Sequence, residues 1–533
     1  MAADELPPMP DWPTLPRMLL DRAAQAPSAV AVVDGDVRLT TAELLASAEA
    51  FAAALIGLGV SRGDRVAVWA PNTWRWAVAA LGIWHTGAVI VPVSTRAKAI
   101  EAGQLLDRTG TRLLVAADGF LGVDYVGLLT AEYGPATADG PFERLPSLRD
   151  VLLLTSTGLA GPSEDSVPIE EVRRRALEVG PEDPIEILAT SGTTGEPKGV
   201  VLAGPQIMRA YWDWSELVGL REGDRYPVVS PFAHGFGINA GLLACIIRGA
   251  EMHPIAVFDP DTALELVERE RLTLLAGPPA LFDRLLSRPD LPDRDITSLR
   301  SAVVGAAAVP TELIHRMRSV LGIERIVNAY GLIEGSVVSM TRPDDPDEVV
   351  ASTAGRAVPG QEIAVVDDTG AAVPAGTPGE VLVRGYGVMV GYWAAEALTR
   401  EAVDPDGWLH TGDIGVLDAA GNLRIVDRKK EMFIVGGFNA YPAEIENLLG
   451  RHPGIAAAAV VGVPDPSSGE AGCAFVVPLP GAELTPAQLI AWSREKMSNY
   501  KVPRHVHVVE SLPLTANGKV DKSALRRLAL TRA

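Results

Sequence analysis

The chain reads as an α/β protein in two parts. A large N-terminal domain of layered α/β subdomains carries a small β subdomain, and a small mobile C-terminal α/β lid domain follows. Three observations predict this. Apolar strand-like runs alternate with amphipathic stretches of about ten to fifteen residues through most of the first 310 positions, the pattern of layered units with a mostly parallel sheet. From 360 to 426 the pattern changes to short β segments separated by Gly and Pro turns. From about 430 to 533 a last block has strands and helices of its own. At 533 residues, 47% of them apolar and 21% charged, the chain is too long for one core and suits a packed, multidomain protein. The expected boundaries are 1–427, a hinge at 428–431, and 432–533.

In order, the first elements are a helix from Leu15 to Ala26, a hairpin in AVAVVDGDVRLT, and a helix from Thr41 to Leu58. The strand Val66–Trp69 leads to Asn72, a candidate cap for the helix Trp74–His85. The strand Ala88–Val93, the helix Ala97–Arg108 and the strand Thr111–Ala116 come next. Residues 117–184, rich in Gly, Pro and acids, read as a surface connection with some helix. A helix bearing Trp212 and Trp214 precedes the strand Tyr226–Ser230. Then come helix Asp261–Arg271, strand Leu272–Ala276, helix Ala280–Ser287 and strand Leu299–Val304. The last block has strands Ala457–Val461 and Ala474–Pro478 and helices Ala443–Leu449 and Pro486–Met497.

A formal charge of −20 argues against nucleic acid or an anionic membrane as the main partner. Cys245 and Cys473 stand far apart without metal spacing, which suits a reducing cytoplasm. The acidic start MAADELPPMPDWP has no signal-peptide core. The most apolar stretch, residues 74–93, carries Arg75 and His85 and is broken by Gly87 and Pro92, so it reads as a buried helix and strand rather than a membrane span.

The chain is organised around residues 186–202, EILATSGTTGEPKGVVL. A short strand ending at Thr190 runs into Ser191-Gly192-Thr193-Thr194-Gly195-Glu196-Pro197-Lys198-Gly199, and a second strand follows. Glycines let backbone N–H groups approach an anion, while hydroxyls and Lys198 add donors and charge. The loop is not a Walker A motif, because Pro197 stands where its glycine belongs and Gly199 replaces its hydroxyl residue. As it stands, TSGTTGEPKG resembles the phosphate loop of the adenylate-forming superfamily, which includes acyl-CoA synthetases, luciferases and peptide-synthetase adenylation domains.

That resemblance extends over nearly the whole chain and implies roles for further residues. Asn328, Ala329, Tyr330, Gly331 and Glu334 in NAYGLIEGS match the family's YGxTE segment, where the Tyr stacks on adenine and the Glu binds Mg2+. Ile333 stands where the family carries Thr, whose hydroxyl helps position the ATP phosphates. Gly305, Ala306 and Ala307 match the strand lying against the other face of adenine. Asp413 in GWLHTGDIG and Arg428 in VDRKKE match the ribose-binding pair, and Lys430 the hinge. Lys519 in LPLTANGKVDK matches the lysine that bridges the substrate carboxylate and the α-phosphate. Gly436 and Gly437 in GGFNAYPAEIE match the loop that admits the CoA arm in the second step.

The implied activity is ATP-dependent conversion of a carboxylic acid to an acyl-adenylate, then to a CoA thioester, with ATP, Mg2+ and CoA as cofactors. His234 in PFAHGFG falls where the family places a His at the carboxylate end of the acyl site. Phe232, Gly235, Gly237 and Trp212 are expected around it. Tryptophans at i and i+2 do not share a helix face, so one of Trp212 and Trp214 is expected to serve packing. The small residues Gly235, Gly237, Ala240 and Gly241 suggest a roomy pocket, compatible with a bulky polycyclic acid. Several segments, GPPALFDRLLSRPD among them, look most like actinobacterial acyl-CoA synthetases that activate propanoate side chains on steroid-derived rings. Alternatives stay open at this stage: an enzyme efficient in one half-reaction that works with a partner ligase, one that loads a free-standing carrier protein, or a non-catalytic adenylate binder. The acid, the oligomeric state and the pathway are not read from the sequence.

Overall fold

The computed structural model describes residues 6–138, 140–155, 158–160, 167–191, 197–305, 309–367, 369–428, 433–440, 442–513 and 520–532. By internal packing the chain forms two units. One comprises Met1–Thr95, Leu106–Leu188 and Gly199–Asp427; the other comprises Arg96–Leu105, Ala189–Lys198 and Arg428–Ala533. The architecture is a mixed α/β fold.

The largest sheet has eight strands in the order Gly391–Tyr392, Pro197–Ala203, Pro184–Ser191, Val89–Pro92, Arg65–Trp69, Leu113–Ala117, Asp150–Thr155 and Gly158–Ala160. The four central pairings from Pro184–Ser191 to Asp150–Thr155 are parallel, as apolar strands joined by helical crossovers require. The stretch 117–184, expected as a surface connection, contributes two strands to this sheet's edge. Its Gly, Pro and acidic content comes from the turns, and the apolar run Leu152–Leu154 is what pairs with Val115–Ala117.

The apolar segment 74–93 folds as the helix Trp74–His85 and the strand Val89–Pro92, with Trp76 and Trp84 buried. Among the described residues no helix is long and apolar enough to cross a membrane. Asn72 does not cap the helix. Thr73 does, accepting from the Trp76 N–H, because Asn72 is turned into the core toward residues 228–232.

A five-stranded sheet orders Leu274–Gly277, Ser301–Gly305, Arg325–Leu332, Ser336–Met340 and Arg356–Ala357. Its first three strands are parallel and the rest antiparallel. The region 360–426 forms the four-stranded sheet Gln361–Val366, Gly379–Gly385, Leu409–Leu417, Leu423–Arg428.

In the second unit Ile455–Asp465 and Gly469–Pro478 form a long antiparallel pair, joined in parallel by His505–Val508. Its core gathers Phe433, Ile445, Leu449, Val476 and Leu489. Both cysteines are free and buried.

Candidate active site

The residues expected on the nucleotide side include the ends of two paired strands, Ser301–Gly305 and Arg325–Leu332. Gly305 lies in register with Ala329, and a methyl on Gly305 would meet the Ala329 carbonyl oxygen at 2.9 Å. Only glycine lets the strands approach so closely. The next strand, Arg325–Leu332, carries Tyr330 and Gly331 within it rather than after it. A bulge between Tyr330 and Gly331 shifts its pairing with Ser336–Met340, and such bulges re-aim a side chain. The Tyr330 hydroxyl donates to Asp413 Oδ2 at 2.5 Å.

Asp413 is buried within the strand Leu409–Leu417. Its N–H donates to Thr411 Oγ1 at 3.1 Å, and Gly412 beside it has φ +69°. The glycine takes the left-handed conformation common in turns, while the strand continues. Asn328 holds this corner together. Its Nδ2 donates to the Val350 and Thr353 carbonyls at 3.0 and 2.9 Å, so its amide hydrogens are committed to backbone.

Glu334 stands in the tight connection between Leu332 and Ser336, half-buried. Its carboxylate Oε1 accepts from the Tyr392 hydroxyl at 3.2 Å, and its carbonyl accepts from the Met389 N–H at 2.8 Å. Tyr392 is in register with Val200 on the strand that follows the glycine-rich loop. The Trp393 N–H donates to the Gly199 carbonyl at 2.7 Å. A side chain on Gly199 would strike Ile187 at 2.6 Å, so glycine is required there for packing. Glu334 is thus tied, through Tyr392, to the base of that loop. Tyr392 was not singled out in the sequence; its signal is the Gly391-Tyr392-Trp393 step after a glycine-rich turn.

On the other side of the loop strand, residues 231–243 fold as a turn and a π-helix, Phe236–Leu243. π-Helices are rare and frequent at functional sites. The buried Asn72 fastens the segment. Its Nδ2 donates to the Val228 and Ser230 carbonyls at 3.1 and 2.8 Å, and its Oδ1 accepts from the Phe232 N–H at 2.7 Å.

His234 presents its ring to open space yet stands deep among neighbouring atoms, whose desolvation holds the imidazole below its ordinary pKa. The Phe236 N–H donates to His234 Nδ1 at 3.2 Å, so in the neutral ring the proton is on Nε2. Gly235 borders Leu188 and Ile333.

Three expectations for the acyl side are corrected. Phe232 is fully buried with its ring 5.0 Å from Trp76, part of the core. Gly237 and Gly241 do not make room: a methyl on either would overlap the Pro231 and Ser230 carbonyls or the Val228 side chain. They let the π-helix press against the preceding chain. Trp212 faces away, its Nε1 donating to the Pro7 carbonyl at 2.7 Å with Arg248 over its ring. It is Trp214, buried, whose ring meets Phe236 at 6.1 Å.

Thr190 and Lys198 are half-buried at the two ends of the glycine-rich loop. Gly192, Thr193, Thr194, Gly195, Ala306, Ala307, Lys430 and Lys519 lie outside the described residues, and of Ser191 and Arg428 only the backbone is described. Gly436 and Gly437 are exposed, with φ of +57° and +84°, a conformation that favours glycine; the Gly436 N–H donates to the Ser468 carbonyl at 2.8 Å.

Residues 19–393 match the family model of the AMP-binding enzymes, and residues 444–519 match that of the AMP-binding enzyme C-terminal domain. A 3-[(3aS,4S,7aS)-7a-methyl-1,5-dioxo-octahydro-1H-inden-4-yl]propanoyl:CoA ligase of Mycobacterium tuberculosis is 46% identical, over 97% of this chain and 99% of that protein. The ligase of the same name from Rhodococcus jostii is 44% identical, over 97% and 99%. Among solved structures, the amide bond synthetase McbA from Marinactinospora thermotolerans superposes with a TM-score of 0.81 at 30% identity, over 97% of this chain and 99% of that one. The chain therefore belongs to the AMP-binding enzymes, as an AMP-forming acyl-CoA ligase that joins a carboxylic acid to CoA by way of an acyl-adenylate.

Proposed function

We propose that the acid is a bulky ring-bearing propanoate, of the methyl-dioxo-octahydroindenyl class for which the two relatives are named. The observation that carries this is identity of 46% and 44% to two ligases named for the same acid, along almost the entire chain. The accessible Nε2–H of neutral His234 supports it, since such a donor suits a carboxylate.

A carboxylate cannot expel oxide, so its oxygen first attacks the α-phosphorus of ATP and pyrophosphate leaves. The protein's share is positioning and charge neutralisation. On this reading the adenine rests between Tyr330 and the Gly305–Ala307 strand, Asp413 and Arg428 take the ribose hydroxyls, and the 191–199 loop takes the β- and γ-phosphates. Glu334, a half-buried carboxylate next to a tyrosine hydroxyl, fits the sparse protein ligation Mg2+ prefers; bound there, the ion offsets phosphate charge. Lys519 stabilises the reacting oxygens. The C-terminal domain then turns about Lys430, and the Gly436–Gly437 loop admits the CoA thiolate, which displaces AMP. Two buried free thiols suit a reducing cytoplasm.

The test supplies ATP, Mg2+ and CoA with a panel of fatty, aromatic, steroid-like and indanyl-propanoic acids, following pyrophosphate, acyl-AMP and acyl-CoA. The expected result is thioester formed with highest kcat/KM on the indanyl propanoate. Faster turnover of a linear fatty acid overturns the substrate class. Acyl-AMP that accumulates despite CoA indicates a split reaction or a carrier-protein acceptor.

A further inference from the structure

Glu186 lies wholly buried in the strand Pro184–Ser191 that leads into the glycine-rich loop, in register with Ile90. Asn239, also buried, sits in the π-helix Phe236–Leu243. Asn239 Nδ2 donates to Glu186 Oε2 at 3.1 Å. The remaining halves of the two groups, Glu186 Oε1 and Asn239 Oδ1, are buried with no hydrogen-bond partner among the described residues. An ionised carboxylate and an amide oxygen are both acceptors, and buried acceptors left unpaired are costly. One proton satisfies both: placed on Oε1, it is donated to Asn239 Oδ1, and acid and amide pair through two hydrogen bonds.

The surroundings agree. Burial raises the Glu186 pKa to about 8, with the Asn239 hydrogen bond opposing. The titratable group coupled to it among the described residues is Tyr211 of the helix Gly204–Val218, itself buried and held protonated. A π-helix has poorer packing than an α-helix and needs outside support to persist, and Asn239 supplies an anchor within it.

We propose that Glu186 is a positioning residue for the acyl site: a neutral carboxylic acid doubly hydrogen-bonded to Asn239, tying the strand that enters the phosphate loop to the π-helix. This rests on the reading that residues 231–243 face the acyl group. Loss of the Glu186 proton breaks one of the two bonds and loosens the segment that carries His234.

The experiment compares the full-length enzyme with Glu186→Gln and Glu186→Leu. Glutamine can form the same two bonds without titrating; leucine can form neither. With the indanyl propanoate as probe, Glu186→Leu raises the acid KM about tenfold and the ATP KM less than about threefold, while Glu186→Gln stays within about twofold of the parent. Between about pH 7 and 9 the parent's acid KM rises and that of Glu186→Gln does not. An alkaline rise of equal size in Glu186→Gln, or a Glu186→Leu enzyme with unchanged acid KM, overturns the proposal. His234→Ala in the same assay separates the two layers: if it leaves the acid KM unchanged, the acyl-site reading fails; if it raises it while Glu186→Leu does not, only this inference fails. Urea unfolding of parent and Glu186→Gln between about pH 5 and 9 decides the acid–amide pair even if that acid is not turned over. The parent must lose stability relative to the glutamine variant as pH rises from the ordinary carboxylate value toward about 8, and parallel pH curves overturn the pair.

Discussion

The nucleotide side and the acyl side of this enzyme are held in place by different physics. Among the residues we assign to ATP, polar side chains meet one another: Tyr330 on Asp413 at 2.5 Å and Tyr392 on Glu334 at 3.2 Å. On the acyl side, side chains hold backbone, and glycines hold a close approach. Asn72 binds two carbonyls and an N–H of residues 228–232, and Gly237 and Gly241 admit the neighbouring chain where any side chain would collide. On our assignment the chemistry common to a reaction class is set by residue type, and the wall proposed for the acid by backbone shape. Mutations on the first side should cost activity with the fold intact, and those on the second should cost the fold.

The largest expected effect tests the second half of that contrast. Gly237→Ala places a methyl on the Pro231 and Ser230 carbonyl oxygens, backbone atoms that cannot rotate away. The expected loss is about 3–5 kcal/mol, read as an earlier denaturant midpoint or as insoluble protein. A variant that unfolds like the parent would show the π-helix can relax, and the contrast would be lost.

Next is Asp413→Ala, on the nucleotide side. It removes a buried carboxylate that accepts from Tyr330 and that we assign to the ribose. The ATP KM should rise about 100-fold, with the acid KM and the unfolding midpoint little changed. Tyr330→Phe removes the donor alone and should cost about three- to tenfold. If Asp413→Ala instead destabilises the fold while ATP binding holds, the pair is structural.

These two regions also differ in how far the sequence disclosed them. Tyr330, Glu334 and Asp413 stand out because NAYGLIEGS and GWLHTGDIG resemble motifs of the adenylate-forming superfamily; taken singly, a Tyr or an acid in a loop is common. The alternation of strands and helices was equally plain. Asn72 was noticed, but as a local helix cap, because its partners lie more than 150 residues away and are backbone atoms without a sequence signature (the separations are 156, 158 and 160). Gly235, Gly237 and Gly241 suggested open space when two of the three mark its opposite. A glycine says that a side chain is absent, not whether the vacated volume is empty or filled by a neighbour. The tryptophans follow the same lesson: opposed faces at i and i+2 were predictable, but not that Trp214 and not Trp212 would meet Phe236.

A smaller effect is expected at the border between the regions. His234→Ala should raise the acid KM about tenfold by removing one hydrogen-bond donor, with the ATP KM unchanged. Burial lowers the His234 pKa from the ordinary 6.5, so the neutral, Nε2-protonated ring persists at and above that pH. The parent-to-variant ratio of acid KM should accordingly be flat above about pH 6.5. The folded pKa lies below the unfolded one, so stability from the neutral ring is present above 6.5 and lost as pH falls through the folded value. The stability of the parent should fall relative to His234→Ala on the acid side alone. A ratio that climbs toward alkaline pH would assign the contact to a charged imidazole.

The smallest expected effect is also the sharpest test of where the boundary runs. Ile333 stands where the motif it resembles has a Thr; its side chain lies against Gly235, within van der Waals range of a methyl placed there, and is half-buried. Ile333→Thr removes a small apolar contact and restores a donor, so the acid KM should rise about three- to fivefold while pyrophosphate release at saturating acid changes by less than about threefold. The opposite outcome, adenylation accelerated tenfold or more with the acid KM unmoved, would mean that the isoleucine handicaps the first half-reaction and serves no acyl contact. The enzyme would then be one whose thioester-forming step outpaces its adenylation, and the two sides would overlap at this residue rather than meet there.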